Sequence, residues 1–294
     1  MDERESLIER FEEHRPHLRA VAYRMLGSAG EADDALQDAW LRVSRADTDE
    51  VENIGGWLTT VVARVCLNML RSRQYRREDP LDVQESDPAI GQESGGDPEQ
   101  EALTADSVGL AMLVVLDTLA PAERLAFVLH DMFAVPFDEI ALMIEKTPAA
   151  TRQLASRARR RVKGGAQPPV ADLARRREVV EAFLAATRGG DFDALVKLLH
   201  PGVVLRADKA VVPTPEPIVV NGAETVARGA MAAMERARAT AVVLVDGAVG
   251  LAMAPLGRLF LVLNFSITDG LITEIDIVAE PERLHEVELS VLDD

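Results

Sequence analysis

Cysteine is almost missing from this chain of 294 residues: Cys66 stands alone. No intramolecular disulfide is available, as expected of a protein kept in a reducing compartment. Aromatic residues are scarce, at 4%, and no apolar run is long enough to suggest a membrane span. The most apolar stretch, Val242 to Leu263, is interrupted by Asp246, Pro255, Arg258 and several glycines, and reads as buried strands. The opening MDERESLIER lacks a basic segment followed by an apolar core, so no signal peptide is expected. His14, His17, His130, His200 and His285 show no ligand spacing, and no metal or cofactor is expected. These absences point to a cytoplasmic protein with no membrane partner.

Positive charge is also in short supply. Lys and Arg number 32 against 49 Asp and Glu, for a net charge of −17. A uniformly acidic protein is repelled by phosphates at long range, so the placement of the basic residues decides whether nucleic acid is a partner. The chain is too long for one ordinary domain and suits two or three. Its 48% hydrophobic content is enough for ordinary cores.

Residues 5–78 carry helical periodicity almost throughout. Ala32, Ala35, Leu36, Ala39, Trp40 and Val43 form one apolar stripe, and Leu58, Val61, Val62, Val65 and Met69 another. Asp47 to Gly56, polar and ending in a glycine pair, is expected to be a loop. From Glu78 to Asp106 there is no Lys or Arg, acids recur, and Pro80, Pro88, Pro98 and Gly95-Gly96 break any helix. Residues 79–106 therefore read as an extended, self-repelling linker.

Helices return over 107–163, with Val108, Ala111, Met112, Val115, Leu116 and Leu119 as an apolar stripe and Pro121 at a helix start. Two short helices, Phe137–Ile144 and Pro148–Lys163, flank a tight turn at Glu145-Lys146-Thr147. Thr147 followed by Pro148 makes an N-cap and first-turn pair, which is helix-turn-helix punctuation.

The second of these helices reads PAATRQLASRARRRVK and contains no acid. Arg152, Gln153, Ser156 and Arg157 share a face in its first two turns, where a recognition helix meets base edges. Arg160 and Arg161 follow, placed to reach phosphates. Arg matches guanine edges and Gln matches adenine edges by bidentate geometry. A solvated basic helix, or one that docks an acidic protein, has the same composition; the helix-turn-helix context favours DNA.

In the first domain Arg64, Asn68, Arg71 and Tyr75 recur at helical spacing opposite the apolar stripe, with Arg73, Arg76 and Arg77 nearby. A polar-basic face ending in an aromatic ring suits a melted strand, through stacking and charge neutralisation. Trp57 reads equally as a stacking wedge or as a core anchor. Asp34, Gln37, Asp38 and Leu41 form an acidic face with one apolar contact. Acids at a helix start stabilise the helix, which accounts for Glu31, Asp33 and Asp34 but not for Asp38.

The runs EADDALQDAWLRV, GGWLTTVVARVCLNMLRSR and TRQLASRARRRVK together closely resemble extracytoplasmic-function (ECF) sigma factors over about the first 163 residues. The resemblance implies that Asp34, Gln37, Asp38 and Leu41 dock on the clamp of core RNA polymerase. It implies that Trp57, Arg64, Asn68, Arg71 and Tyr75 capture the promoter −10 element, with a flipped base held by the preceding loop. It implies that Arg152, Gln153, Ser156, Arg157, Arg160 and Arg161 bind the −35 element. The family's glycine in the tight turn is Glu145 here, at a cost of about 1 kcal/mol for a left-handed residue. The acidic linker would either mimic nucleic acid in the polymerase cleft or act as a plain tether.

After a short linker at 164–172, the pattern changes. Helices at 173–188 and 191–199, a strand at 203–207, a helix at 222–237 and strand runs at 240–254, 258–268 and 271–278 predict a separate α+β domain with an antiparallel sheet. Asp269-Gly270 marks a hairpin. Residues 173–280 resemble the SnoaL-like branch of the NTF2-like cone, with DALVKLLHPGVVL and the terminal hairpin carrying the likeness. ADKA at 207–210 and AEPERL at 279–284 are degenerate forms of motifs that mark sigma factors with this fusion. The expected fold is thus multi-domain: two all-α sigma domains, the second with a helix-turn-helix, then an NTF2-like cone.

A base in such a cone would come from Asp208, Glu274 or Asp276, with His200 close in sequence. Intramolecular regulation is favoured over catalysis or binding of a small-molecule ligand. In the tail, 281–294, Leu284, Val287, Val291 and Leu292 fall near one face of a short helix, to dock on its own domain or on the sigma domains. Two rival readings remain: a dimeric helix-turn-helix regulator, and a cyclase or isomerase in the C-terminal domain.

Overall fold

The computed structural model describes residues 3–46, 51–78, 107–164, 170–211 and 216–292. The acidic linker at 79–106 lies outside the described residues, as does most of the expected linker at 164–172. By packing the chain forms two compact units. One is Met1–Glu101 with Leu119–Arg159, and the other is Ala102–Thr118 with Arg160–Asp294.

The first unit starts with α1 (Glu3–Leu26), α2 (Ala29–Val43) and α3 (Ile54–Glu78). Leu18, Val21, Ala22, Met25 and Leu26 of α1 are fully buried. The predicted α2 stripe packs as expected, with Ala32, Ala35, Leu36, Ala39 and Val43 buried. Trp40 is half-buried and meets the Phe11 ring at 5.1 Å. Ser28 caps α2, its side chain accepting from the Glu31 N–H.

The loop before α3 is shorter than expected, because Ile54, Gly55 and Gly56 are already helical. The Asn53 side chain accepts the Gly56 N–H at 3.0 Å and starts the helix. Gly55 lies against His14, and a Cβ there would come within 3.0 Å of the imidazole. Gly55 thus serves close packing against α1, and Gly56 leaves room for the Asn53 cap, whose amide would lie 2.7 Å from a Cβ there.

The same unit contains α5 (Pro121–Phe127), a π-helical turn at Val128–Met132, α6 (Phe137–Ile144) and most of α7 (Pro148–Lys163); α4 (Ser107–Asp117) belongs to the second unit. The predicted helix-turn-helix is present to the residue. Glu145 ends α6 in the left-handed region at φ 56°, ψ 45°. The Lys146 N–H reaches back to the Ala141 carbonyl at 3.0 Å, and Thr147 Oγ1 accepts the Ala150 N–H at 3.2 Å. Ile140, Ala141, Met143 and Ile144 of α6, and Leu154, Ala155, Ala158 and Val162 of α7, are buried.

In the second unit α8 (Val170–Gly189) and α9 (Phe192–Leu198) lead into β1 (Leu199–Ala207) and β2 (Ile218–Asn221). Then come α10 (Ala223–Ala232), α11 (Met234–Ala237), β3 (Thr240–Val245), β4 (Ala248–Met253), β5 (Leu261–Thr268) and β6 (Leu271–Val278). The chain ends in α12 (Pro281–Glu286) and β7 (Leu289–Ser290). One seven-stranded sheet, in the order β2-β1-β6-β5-β4-β3-β7, is antiparallel except where β1 runs parallel to β6. Val180, Phe183, Leu184, Leu195, Val226, Phe265, Ile272 and Ile275 join helices to sheet in one core. This is the α+β domain that the sequence predicts, with β2 added and one parallel pair.

Three details differ from expectation. The run 240–254 is two strands, because Asp246 and Gly247 both take positive φ, at 51° and 79°. That is the same two-residue turn chemistry that makes the predicted hairpin at Asp269-Gly270, at 52° and 79°. Secondly, α4 packs with the sheet through β3 rather than counting with the helix-turn-helix. Leu113, Val114, Val115 and Leu116 are all buried, so α4 needs cover on more than one side. The Asp117 carboxylate accepts the Leu259 N–H at 3.0 Å.

The third difference is the tail, which forms no single helical face. Val287 leaves the helix at ψ 129°. Leu289 and Ser290 then pair with Val245 and Leu244 on the edge of β3, whose open ladder of N–H and C=O groups attracts an added strand. The Val291 N–H bonds the Val162 carbonyl at the end of α7, at 2.9 Å.

Candidate nucleic-acid interface

Burial of one α7 face sorts its opposite face. Thr151, Leu154, Ala155, Ala158 and Val162 face inward, while Arg152, Gln153, Ser156, Arg157, Arg160 and Arg161 are all exposed. The helix-turn-helix therefore presents every predicted −35 residue on one surface. Three of the arginines in α7 are oriented by residues that the sequence reading did not single out. The Arg152 guanidinium lies 5.7 Å from the centre of the Phe137 ring, which itself stacks on His130 at 3.7 Å. Arg157 pairs with Glu123 at 3.1 Å. Arg159 donates through Nε to Asp131 at 2.6 Å. Asp131 precedes Arg159 by 28 residues and Glu123 lies still further from Arg157, too far for helical spacing to suggest either pairing.

On α3 the second surface divides in the same way. Arg64, Asn68, Arg71 and Tyr75 are exposed, Tyr75 at 72%. Leu58, Val62, Val65, Cys66 and Leu67 are buried behind them. Trp57, in the first turn, is half-buried. Arg64 donates to the Leu142 carbonyl of α6 at 3.3 Å. Arg73, expected to extend this basic face, instead points inward to pair with Glu31 and to the Leu26 carbonyl. With both side chains largely out of water, the pairing offsets part of their desolvation cost. The side chains of Arg76 and Arg77 lie outside the described residues.

The third surface is on α2. Asp34, Gln37, Asp38 and Leu41 are exposed together, Leu41 at 47%. Asp33 is drawn off to Arg19 at 2.8 Å. Among the described residues Arg124 is the largest fully buried side chain, 1% exposed. It donates to the Arg24 carbonyl at 3.2 and 3.3 Å. A cation at the C-terminal end of α1 also meets the negative end of the helix dipole. Burial pushes the nearby Cys66 thiol up to about 12, against the opposing pull of Arg124, so it stays protonated and unreactive.

The carboxylates considered as bases in the C-terminal unit are engaged elsewhere. Asp208 is buried and accepts the N–H groups of Ala279 and Glu280 at 2.9 and 3.0 Å and Arg283 Nη1 at 2.5 Å. Burial pushes its carboxyl up, but the Glu280 and Ala279 N–H groups and the Arg283 guanidinium together hold it below the ordinary aspartate range. Arg283 also reaches Asp276 at 3.2 Å, and Glu274 pairs with Arg206. Asp276 and Glu274 are therefore partly exposed ion-pair partners and do not face a sealed interior. His200 is exposed, its Nδ1 accepting the Gly202 N–H. The segments ADKA and AEPERL, far apart in sequence, meet through Asp208 and Arg283. Among the described residues there is no cluster of metal-binding side chains, and no helix is long and apolar enough to cross a membrane.

Residues 10–76 match the Sigma-70 region 2 family, and residues 110–162 match Sigma-70 region 4. The chain is 34% identical over 274 residues to the probable ECF RNA polymerase sigma factor SigI of Mycobacterium tuberculosis, covering 92% of each protein. It is 40% identical over 233 residues to the ECF RNA polymerase sigma factor SigJ of the same organism, covering 78% of this chain and 73% of that protein. The crystal structure of the M. tuberculosis SigJ is 32% identical, with a TM-score of 0.44, and covers 94% of this chain and 98% of that one. The chain belongs to the ECF RNA polymerase sigma factors.

Proposed function

We propose that this sigma factor binds core RNA polymerase through α2 and contacts both promoter elements through α3 and α7. Asp34, Gln37, Asp38 and Leu41 dock on the polymerase. Trp57, Arg64, Asn68, Arg71 and Tyr75 hold the melted −10 strand by stacking and charge neutralisation. Arg152, Gln153, Ser156 and Arg157 read the −35 duplex, and Arg160 and Arg161 contact its phosphates. The working domains are 5–78 for the polymerase and the −10 element and 107–163 for the −35 element, with 173–280 as the SnoaL-like part.

One observation carries the reading: the exposed face of α7 holds all six polar residues while Thr151, Leu154, Ala155, Ala158 and Val162 are buried on the other. A dimeric regulator would also need such a helix, but it has no use for the acidic face of α2 or the basic face of α3. The acidic balance of the chain fits a protein that meets DNA only as part of a polymerase complex, in the cytoplasm.

For the C-terminal domain we favour intramolecular regulation over catalysis. Asp208 is held ionised by three donors, and a general base of this fold needs a carboxylate free to take a proton. The test is in vitro transcription with core polymerase. Asp38→Arg should abolish holoenzyme formation while leaving the far-UV circular dichroism unchanged. Normal assembly by that variant would refute the docking assignment.

A further inference from the structure

We propose that Glu123 is a positioning residue that sets base specificity at the −35 element by orienting Arg157. The inference rests on the reading of Arg157 as a base-contacting residue and adds a second residue, on another helix, that decides what it reads.

The pair is asymmetric. The Glu123 side chain is 11% exposed and the Arg157 side chain 55%. Glu123 sits in the first turn of α5, behind Pro121, beside the fully buried Arg124. Packing therefore holds the carboxylate in place, whereas the arginine is a long chain reaching into solvent. A fixed carboxylate beside a mobile guanidinium restricts the guanidinium before DNA arrives, and less ordering remains to be done on binding.

The atom used matters as well. Glu123 Oε1 meets Nε of Arg157 at 3.1 Å. Nε is distinct from the two terminal nitrogens, which form the fork that matches guanine O6 and N7. Arg159 is held through the same atom but more closely, at 2.6 Å by Asp131, with 38% of its side chain exposed. Arg157 is the more exposed of the two.

A carboxylate next to the DNA surface has a second effect of opposite sign. It repels phosphate and offsets part of the arginine charge, so it weakens sequence-independent binding. Glu123 should thus sharpen discrimination while lowering affinity for unrelated DNA. A residue that only supported the fold would move both in the same direction.

The experiment uses the full chain assembled with core polymerase. Holoenzyme competes for promoter fragments carrying each base at each −35 position, at fixed salt, and the relative affinities give a preference profile. Arg157→Ala should flatten the profile at one or two positions by about tenfold or more. Glu123→Gln should flatten it at those same positions by about threefold or more, leave the other positions alone, and bind a scrambled −35 sequence as tightly as wild type or more tightly. The double variant should be no flatter than Arg157→Ala alone, and Glu123→Asp should keep part of the discrimination. Because each profile compares templates within one variant, a general loss of stability lowers all affinities alike and does not mimic the effect.

The proposal is overturned if Glu123→Gln keeps the wild-type preference where Arg157→Ala loses it, or if the two losses add. Should Arg157→Ala flatten no position, the assignment of Arg157 as a base reader fails first.

Discussion

Replacing Asp208 by Asn should separate a structural latch from a catalytic base. The wild-type carboxylate accepts two backbone N–H groups at 2.9 and 3.0 Å and one guanidinium N–H at 2.5 Å. Asparagine keeps one acceptor oxygen but loses the charge, and its NH2 would face Arg283 or a backbone donor. Losing charge assistance on one buried and one part-buried bond costs about 2 kcal/mol. The Arg283 pair is nearly half exposed on the arginine side and adds only about 0.5–1 kcal/mol. The sum, about 2–3 kcal/mol, corresponds to about 5–10 °C in the melting temperature of a unit of this size.

Both tryptophans, Trp40 and Trp57, belong to the other unit, so calorimetry is the appropriate assay. The pH dependence gives a second check. The folded pKa of Asp208 is depressed, so its contribution is fully present above the unfolded value of about 3.9 and is lost as pH falls through the lower folded value. The gap between wild type and Asp208→Asn should be constant at neutral pH and close below about pH 4. A variant that melts with wild type at pH 7, or a gap that persists unchanged at pH 3, would refute the latch.

Other perturbations test the remaining features of the fold. Arg124→Met removes the guanidinium that caps α1 and should cost about 2–4 kcal/mol in urea unfolding followed by tryptophan fluorescence; a loss under about 0.5 kcal/mol would contradict the buried contact. Glu145→Gly relieves a left-handed residue and should stabilise the same transition by about 0.5–1 kcal/mol. Destabilisation there would mean that the Glu145 side chain contributes more than its backbone strain costs. Leu289→Ala should cost about 2–3 kcal/mol by calorimetry, because that side chain is 2% exposed beside β3; a neutral result would mean that the tail is not docked.

Much of this protein could be read directly from local chemistry. The bounds of α6 and α7 follow from Pro148 in a first turn, Thr147 as a cap and the apolar spacing between them. The exposed residues of α2, α3 and α7 follow from 3.6-residue periodicity, since burying one stripe leaves the opposite one in solvent. The hairpin at Asp269-Gly270 was legible because an Asp-Gly pair takes positive φ readily, and the identical turn at Asp246-Gly247 carried the same signal inside a run that reads as continuous apolar sequence.

Tertiary structure alone decided which distant groups meet. Nothing local marks Glu123 as the partner of Arg157, Asp131 as that of Arg159, or Arg124 as a buried cap on α1, because each pair joins helices whose separation in sequence carries no period. Likewise nothing local joins Asp208 to Arg283, 75 residues later, yet the two are hydrogen-bonded. The assignment of α4 to the sheet has the same origin. A helix apolar on every side declares that it will be buried, but the surface that covers it is chosen by packing in three dimensions.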